Sequence, residues 1–167
     1  MVVLCVLLFV ACLTDCRSAR IPNWVVLLIY AGGVGYRYLR GGWQDIGNSL
    51  ISCFFVFIIL FPLFKIGTMG AGDVKLLSAA SGYLSGKAVL CFLFYSMLIA
   101  AIFSIVKLFR ERNGKERFGY LCSYIAEVIK TGHWKIYFQN ESEKRKAGIC
   151  LAVPAFLSVL LHLGGVY

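Results

Sequence analysis

The residues of this chain whose type and placement point to chemistry are its aspartates. The 167 residues contain only three, Asp15, Asp45 and Asp73. Asp15 ends the first apolar run, and Asp73 lies in the stretch Gly70–Lys75 (GAGDVK), just before another apolar run. An acid at membrane depth is costly and is a functional candidate by default. Two aspartates that border apolar segments therefore predict chemistry carried by a pair of carboxylates.

Paired carboxylates suit hydrolysis of a peptide bond. If Asp15 and Asp73 come within a few ångströms of each other, they titrate as a coupled pair that shares one proton. One acid and one base can then activate water and protonate the departing amine, as in aspartic proteases. Gly70 and Gly72 can adopt positive φ and admit a substrate backbone. Asp73 is expected to act as the N-cap of the following helix.

Each of these residues also has a structural interpretation. A Gly-x-Gly-Asp stretch is often a turn closed by an aspartate cap. Asp15, which is followed by arginines, can be a solvated helix flank. Lys75 can extend toward the membrane surface or form an ion pair with Asp73. The catalytic interpretation gains weight only if both aspartates lie at the same side of the membrane.

The composition indicates a membrane protein. With 60% hydrophobic residues and a mean hydropathy of +0.80, the chain exceeds what a soluble core of this size needs, so we predict a single transmembrane domain over 1–167. Apolar windows at about 1–16, 22–36, 48–66, 74–85, 88–108 and 148–166 predict about six transmembrane helices, with a break at Ser85-Gly86-Lys87. The fold class is an all-α polytopic bundle, since the windows lack the alternation of barrel strands.

The basic residues predict the orientation. With the N-terminus outside, the connections at 17–20, 65–75 and 107–146 lie in the cytoplasm and hold fourteen of the seventeen lysines and arginines. Arg37, Arg40 and Lys87 remain in the outer connections. The net charge of +9 thus reflects topology and contact with membrane lipids, not nucleic-acid binding. This topology places Asp15 and Asp73 at the same cytoplasmic side.

The segment 109–147 is predicted to be a cytoplasmic connection that contains an amphipathic helix on the membrane surface. Apolar residues recur in it at helical spacing, at Phe118, Leu121, Cys122, Ile125, Val128 and Ile129. The simpler interpretation is a helix that covers the bundle. The functional one is a guide for a substrate, although its own basic charge would repel a basic peptide.

No cofactor or metal is expected. The seven cysteines form no C-x-x-C pair, and neither His133 nor His162 has further ligands at usable spacing.

Two stretches of the chain resemble the two signature motifs of the type IV prepilin peptidases. The first is Asp15, followed after five residues by Ile21-Pro22-Asn23, and the second is the later stretch Gly70–Lys75. The type IV prepilin peptidases are membrane aspartic proteases of the GxGD type. The resemblance covers residues 8–108 well and the last helix more loosely. It implies a membrane-embedded endopeptidase, in a prokaryotic cytoplasmic membrane, that removes the basic leader from prepilin or pseudopilin precursors, just after a glycine.

Carried over residue by residue, the resemblance implies that Asp15 and Asp73 are catalytic. Gly70 and Gly72 would shape the loop, and Lys75 would complete the second motif. Pro22 and Asn23 would fix the turn into the second helix, where a proline suits the first turn. No cofactor is implied.

The larger family members carry paired C-x-x-C motifs near the N-terminus, associated with N-methylation of the product. This chain lacks them and has no room for that segment before Asp15, so we expect a member of the short, peptidase-only branch.

Two alternatives stay open. One is a protease of the presenilin or signal-peptide-peptidase type, whose partner acid follows a tyrosine, whereas Thr14 precedes Asp15 here. The other is a small transporter or scaffold with acidic ion sites. The sequence identifies neither the pilin nor the oligomeric state.

Overall fold

The structure of the protein, a computed structural model, describes residues 1–18, 21–110 and 150–166. These ranges are helical and contain no strand, which confirms the predicted all-α class. The helices are α1 (Val2–Ser18), α2 (Asn23–Lys65), α3 (Ala71–Ser81), α4 (Lys87–Arg110) and α5 (Ala152–Leu163). The amphipathic helix predicted within 109–147 falls outside the described residues, apart from the last two residues of α4.

Helix α2 is a kinked element made of two halves. Gly42 interrupts it with φ 67° and ψ −148°, a conformation that is essentially restricted to glycine. Tyr30 from the first half and Phe57 from the second line the same recess, so the two halves fold back on each other. The sequence predicted separate helices at 22–36 and 48–66 joined by an open connection. That connection is instead helical on both sides of the break at Gly42.

The short helix α3 packs against both halves of α2. Its buried residues include Leu76, Leu77 and Ala80, which are fully inaccessible. Ser78 also donates its hydroxyl to the carbonyl of Cys53 at 2.7 Å. Just beyond α3, the buried Tyr83 lies where Gly33 has no side chain, since a Cβ there would stand 3.2 Å from the ring. Small residues on α2 therefore allow α3 to approach closely.

Helices α1, α5 and α4 form the other side of the bundle. Helix α1 contacts α2 and α5, and α5 also contacts α4. Phe9 of α1 packs on Phe156 of α5 with ring centroids 6.0 Å apart. The hydroxyl of Ser158 donates to the carbonyl of Phe92 at 3.0 Å, which joins α5 to α4. Helix α5 thus lies between α1 and α4.

Two helices are long and apolar enough to span a membrane. They are Asn23–Lys65 and Lys87–Lys107, and the shorter helices Val2–Asp15 and Ala152–Leu163 are apolar as well. Only 28% of the most apolar stretch of the first and 22% of that of the second is buried. A core helix of a soluble protein would be mostly buried, so these exposed apolar faces indicate contact with lipid.

Glycine turns separate α3 from its neighbours. Gly67, with φ 80°, follows α2, and Gly86, with φ 53°, precedes α4. The predicted break at Ser85-Gly86-Lys87 is therefore confirmed. Helix α3 begins at Ala71, earlier than the apolar window at 74–85 indicated, and ends at Ser81.

Candidate active site

Asp73 lies on the first turn of α3. Gly70, with extended backbone angles (φ −74°, ψ 147°), is the N-cap of this helix, so Asp73 is its third residue and the predicted N-cap role is wrong. The Asp73 carboxylate reaches back and accepts a hydrogen bond from the backbone N–H of Gly70. A side chain at this position commonly satisfies the N-cap donor in this way. This bond fixes the carboxylate over the start of the helix.

Asp15 lies on the last turn of α1 and is buried, with 7% of its surface exposed. Its carboxylate accepts a hydrogen bond from the backbone N–H of Ala152, the first residue of α5. The other carboxylate oxygen, Oδ2, is buried and has no hydrogen-bond partner within the described part of the chain. A buried oxygen without a donor is costly and is uncommon in folded proteins. It is therefore the atom of Asp15 that is free to take a proton or a water.

The structure brings Asp15 and Asp73 together. The negative charge of Asp15 acts on the carboxyl group of Asp73, so the two side chains lie within electrostatic range although they are remote in sequence. The site is formed by the end of α1 and the beginnings of α3 and α5. Two carboxylates placed in this way disfavour a second negative charge and favour a single shared proton.

The motif glycines act through their lack of a side chain. Neither Gly70 nor Gly72 has a positive φ, so the conformational role that the sequence suggested is wrong. A Cβ on Gly70 would stand 2.9 Å from Oδ2 of Asp73, closer than real contacts of this kind. A Cβ on Gly72 would meet the side chain of Ile21 at 3.5 Å. Gly70 thus makes room for the Asp73 carboxylate, and Gly72 lies where the two motifs touch.

Pro22 and Asn23 form the beginning of α2. Pro22 is the N-cap with φ −63° and ψ 136°, one position before the first-turn position that was predicted. Its carbonyl accepts the N–H of Val25 at 3.1 Å, and the helix starts at Asn23. The structural role that the resemblance implied for Pro22 agrees with this geometry. Ile21, next to Pro22, is the residue that lies against Gly72.

Lys75 does not face Asp73. Residues two apart on a helix point to different sides, and the only ion pair among the described residues joins Arg37 and Asp45. Lys75 is exposed and lines a recess of about 310 Å³ together with Asn23. The second motif therefore presents its aspartate to α1 and its lysine to the opposite side of α3.

Arg37 is a buried residue at the other end of α3 that the sequence reasoning missed. Its exposed fraction is 7%, although the predicted topology had placed it in an open outer connection. Its guanidinium donates to the carbonyls of Leu84 at 2.7 Å and Gly82 at 3.4 Å, directly beyond α3. The Oδ2 atom of Asp45 lies 3.8 Å from its Nη1 atom. Arg37 thus holds the chain where α3 ends.

Two serines of α2 complete this arrangement. The hydroxyl of Ser49 donates to the Gly82 carbonyl at 2.9 Å, and that of Ser52 to the Leu84 carbonyl at 3.3 Å. These two carbonyls belong to the turn that follows α3, and burying backbone carbonyls unpaired is costly. A sequence signal did exist, because Arg37 follows an apolar run and Asp45 comes eight residues later.

Within the described ranges, no group of three or more His, Cys, Asp or Glu side chains is placed to hold a metal ion.

Residues 2–105 match the model of the type IV leader peptidase family. Two curated relatives, both described as prepilin leader peptidase/N-methyltransferase and both from Aeromonas salmonicida, are 33% identical over 98 residues. That alignment covers 54% of this chain but only 33% of each relative. No solved structure matches the chain significantly. Because the family match covers more than half of the chain and contains both motifs, the chain belongs to the type IV leader peptidase family, as the motifs predicted.

Proposed function

We propose that this protein is a membrane-embedded aspartic endopeptidase that removes the basic leader of type IV prepilin or pseudopilin precursors. The observation that carries the proposal is the convergence of Asp15 and Asp73, which come from different helices and interact electrostatically. Membership of a leader peptidase family supports the substrate class. The exposed apolar faces of α2 and α4 support a membrane location.

The chemistry follows from the shared proton. The ionised carboxylate of the pair takes a proton from water, and the resulting hydroxide equivalent attacks the scissile carbonyl carbon. The protonated carboxyl group stabilises the developing oxyanion and then transfers its proton to the departing amine, so that the C–N bond breaks. The exposed side of the pair must admit the peptide, and the unpartnered Oδ2 of Asp15 is the natural acceptor for water.

The charge of the site suits a basic leader. Two buried or half-buried carboxylates attract lysine and arginine side chains, whereas Lys75 lies on the other side of α3. The leader would approach from the cytoplasmic side of a prokaryotic inner membrane, where the topology puts fourteen of the seventeen basic residues. Cleavage just after a glycine is the rule that the family resemblance implies.

The decisive experiment replaces each aspartate by its amide. Asp15→Asn and Asp73→Asn keep the shape of the side chain but remove the titrating oxygen, so we expect each to lower leader cleavage by at least about a thousandfold. Cleavage of a purified prepilin in detergent or vesicles measures this, and the yield of inserted protein shows that folding is intact.

Asp45→Asn is the matched control, because Asp45 lies at the far end of α3 beside Arg37. It should retain cleavage. Full activity of either Asp15→Asn or Asp73→Asn would refute the assignment. Ion-dependent uptake by vesicles without any cleavage by the unaltered protein would favour the transporter alternative instead.

A further inference from the structure

Pro154 lies on the first turn of α5, two residues after the backbone group that holds Asp15. The helix begins at Ala152, whose N–H donates to the Asp15 carboxylate. The side chain of Pro154 is fully buried. A proline has no N–H, so Pro154 changes which hydrogen bonds this first turn can make.

The donors of the first turn can be followed one by one. The N–H of Val153 donates to the carbonyl of Cys150 at 3.2 Å. The N–H of Ala155 donates to the carbonyl of Leu151, also at 3.2 Å. In a regular α-helix the donor to the Cys150 carbonyl would be the N–H of residue 154, four residues further on. Pro154 has none to give, so Val153 takes its place across a tighter turn of the 3₁₀ type.

This exchange of donors determines what reaches Asp15. The N–H groups at the start of a helix point toward its N-terminal side, so a carboxylate held by one of them lies within reach of the next. For Asp15 the next donor is the N–H of Val153, which the carbonyl of Cys150 already binds. The second carboxylate oxygen, Oδ2, is accordingly left without a partner among the described residues.

Asp73 has a different environment. Its carboxylate accepts the N–H of Gly70 at the start of its own helix. Helix α3 contains no proline, and the N–H of Val74 donates to the Gly70 carbonyl four residues back, as in a regular helix. A proline therefore withdraws a donor from Asp15 and not from Asp73, so the two carboxylates of the pair are not equivalent.

We propose that Pro154 is a positioning residue that keeps the Oδ2 atom of Asp15 open to the attacking water, and so makes Asp15 the base of the pair. This inference rests on the proposed function, because it assigns roles within the carboxylate pair. Pro154 acts through the hydrogen bonds of α5 and is not itself a catalytic residue. A carboxylate that accepts fewer N–H bonds binds a proton more readily, which suits a base.

The described charged groups around Asp15 leave this role to Asp15 and Asp73. Asp73 faces it from α3. The first seven residues of α2 and the first ten of α5 contain no titratable side chain. The other charged side chains at this end of the bundle are exposed, and they are Arg17, Lys65 and Lys75. The thiols nearest in sequence, Cys12 and Cys150, are uncharged near neutral pH.

Pro154→Ala tests the proposal because it restores the missing N–H. The new donor binds the carbonyl of Cys150, which releases the N–H of Val153 to bind Oδ2 of Asp15. We expect kcat to fall about tenfold or more at nearly constant KM, because Oδ2 no longer admits water and the carboxylate is a weaker base. For the same reason the acid limb of the pH profile of kcat should move to lower pH by about one unit.

A purely structural role would give a different pattern. Alanine is the best helix former and regains a backbone hydrogen bond, which offsets the lost contacts of the ring, so the thermal midpoint should change little. Pro62→Ala is the matched control. Pro62 is the other proline inside a helix of this chain, lies in α2 and is exposed. Its replacement should leave kcat and the pH profile unchanged.

Isotope-edited infrared spectroscopy follows Asp15 without turnover. The chain has only three aspartates, so a carbon-13 label on aspartate carboxyl groups reports on Asp15 alone in the Asp45→Asn/Asp73→Asn protein. Adding Pro154→Ala to that protein should shift the carboxylate band and move its titration to lower pH. Adding Pro62→Ala should change neither.

Unchanged kcat, pH profile and carboxylate band in Pro154→Ala, when the unaltered protein cleaves a purified prepilin, would overturn the role of Pro154 and leave the proposed function standing. A lower kcat that comes with a lower thermal midpoint and an unmoved pH profile would overturn it as well, since that pattern means a structural role. If the unaltered protein cleaves no prepilin, the proposed function itself fails.

Discussion

At the scale of single residues, the aspartate pair shows what a sequence can and cannot reveal. Asp15 and Asp73 were identified because acids are rare in this apolar chain and because both border apolar runs. Their hydrogen-bond partners were not. The Ala152 N–H comes from a helix at the other end of the chain, and no local pattern predicts which backbone group a buried carboxylate will meet. Backbone contacts of this kind depend on packing between helices, which side-chain identities do not report.

Gly70 gives a prediction at this scale. Its backbone angles suit any residue, so Gly70→Ala carries no conformational penalty, but the added Cβ would stand 2.9 Å from Oδ2 of Asp73. The carboxylate can rotate away cheaply, so we expect normal stability. Because a displacement of about 1 Å at a catalytic group can cost a hundredfold in rate, we expect kcat to fall about ten- to a hundredfold.

The comparison of kcat with the thermal midpoint of the purified protein checks this prediction. Gly47→Ala serves as the control, because a Cβ there has no neighbour within 4 Å. Wild-type kcat in Gly70→Ala would mean that the close approach of Gly70 to Asp73 has no catalytic importance.

At the scale of elements, the hydrogen bonds just beyond the C-terminal end of α3 explain why this helix is short. The apolar window at 74–85 has twelve residues, whereas a full crossing takes about twenty, so this segment is too short to cross a membrane alone. The structure shows that the carbonyls of Gly82 and Leu84 are buried and receive hydrogen bonds from Arg37, Ser49 and Ser52. The chain can therefore turn inside the protein directly after α3, since the buried carbonyls of this turn have donors. Sequence reasoning counted Arg37 as a topological charge because most arginines near apolar runs are solvated.

Arg37→Leu tests this explanation. It removes two hydrogen bonds from a charged donor and the charge that faces Asp45, and it leaves each of the two buried carbonyls with a serine as its remaining donor, so we expect a loss of about 2–4 kcal/mol in the free energy of unfolding. Arg37→Lys should recover part of the loss, because one ammonium can serve a carbonyl but lacks the planar fork.

Denaturant unfolding in detergent micelles measures both variants. Arg40→Leu is the comparison: Arg40 is exposed and stacks over Tyr36 at 5.2 Å, so its loss should be much smaller. Equal losses for Arg37→Leu and Arg40→Leu would contradict a special role for the end of α3.

At the scale of the whole molecule, the fold class and the family follow from the sequence, whereas the arrangement of the helices does not. Composition predicted helices in a membrane, and the two motifs predicted the family. The number of separate spans did not follow, because Gly42 turns α2 sharply without the open loop that hydropathy windows require. The windows at 22–36 and 48–66 locate the two halves of α2, but they do not show that the polar stretch between them is helical on both sides of Gly42.

Orientation is the prediction that belongs to this scale. If the carboxylate pair works at the cytoplasmic side, Thr68, in the turn between α2 and α3, faces the cytoplasm and Trp43, at the kink of α2, faces outward. Both residues are exposed. A cysteine at position 68 should therefore react with a membrane-impermeant maleimide only in inverted vesicles, and one at position 43 only in right-side-out vesicles.

The experiment requires a background in which the seven native cysteines are replaced. Cleavage by that background protein is the control for folding. Labelling of both positions from one side would show that α2 does not cross the bilayer as a hairpin.

The bond from Ala152 to Asp15 has a genetic consequence. The family match ends at residue 105, so a copy of the gene interrupted soon after that codon would still encode every signature residue. Its product would lack the only donor that the described structure gives to Asp15. Such a copy should be scored as a null allele, however complete its motifs look, and supplying the missing C-terminal fragment from a second gene is the rescue to attempt.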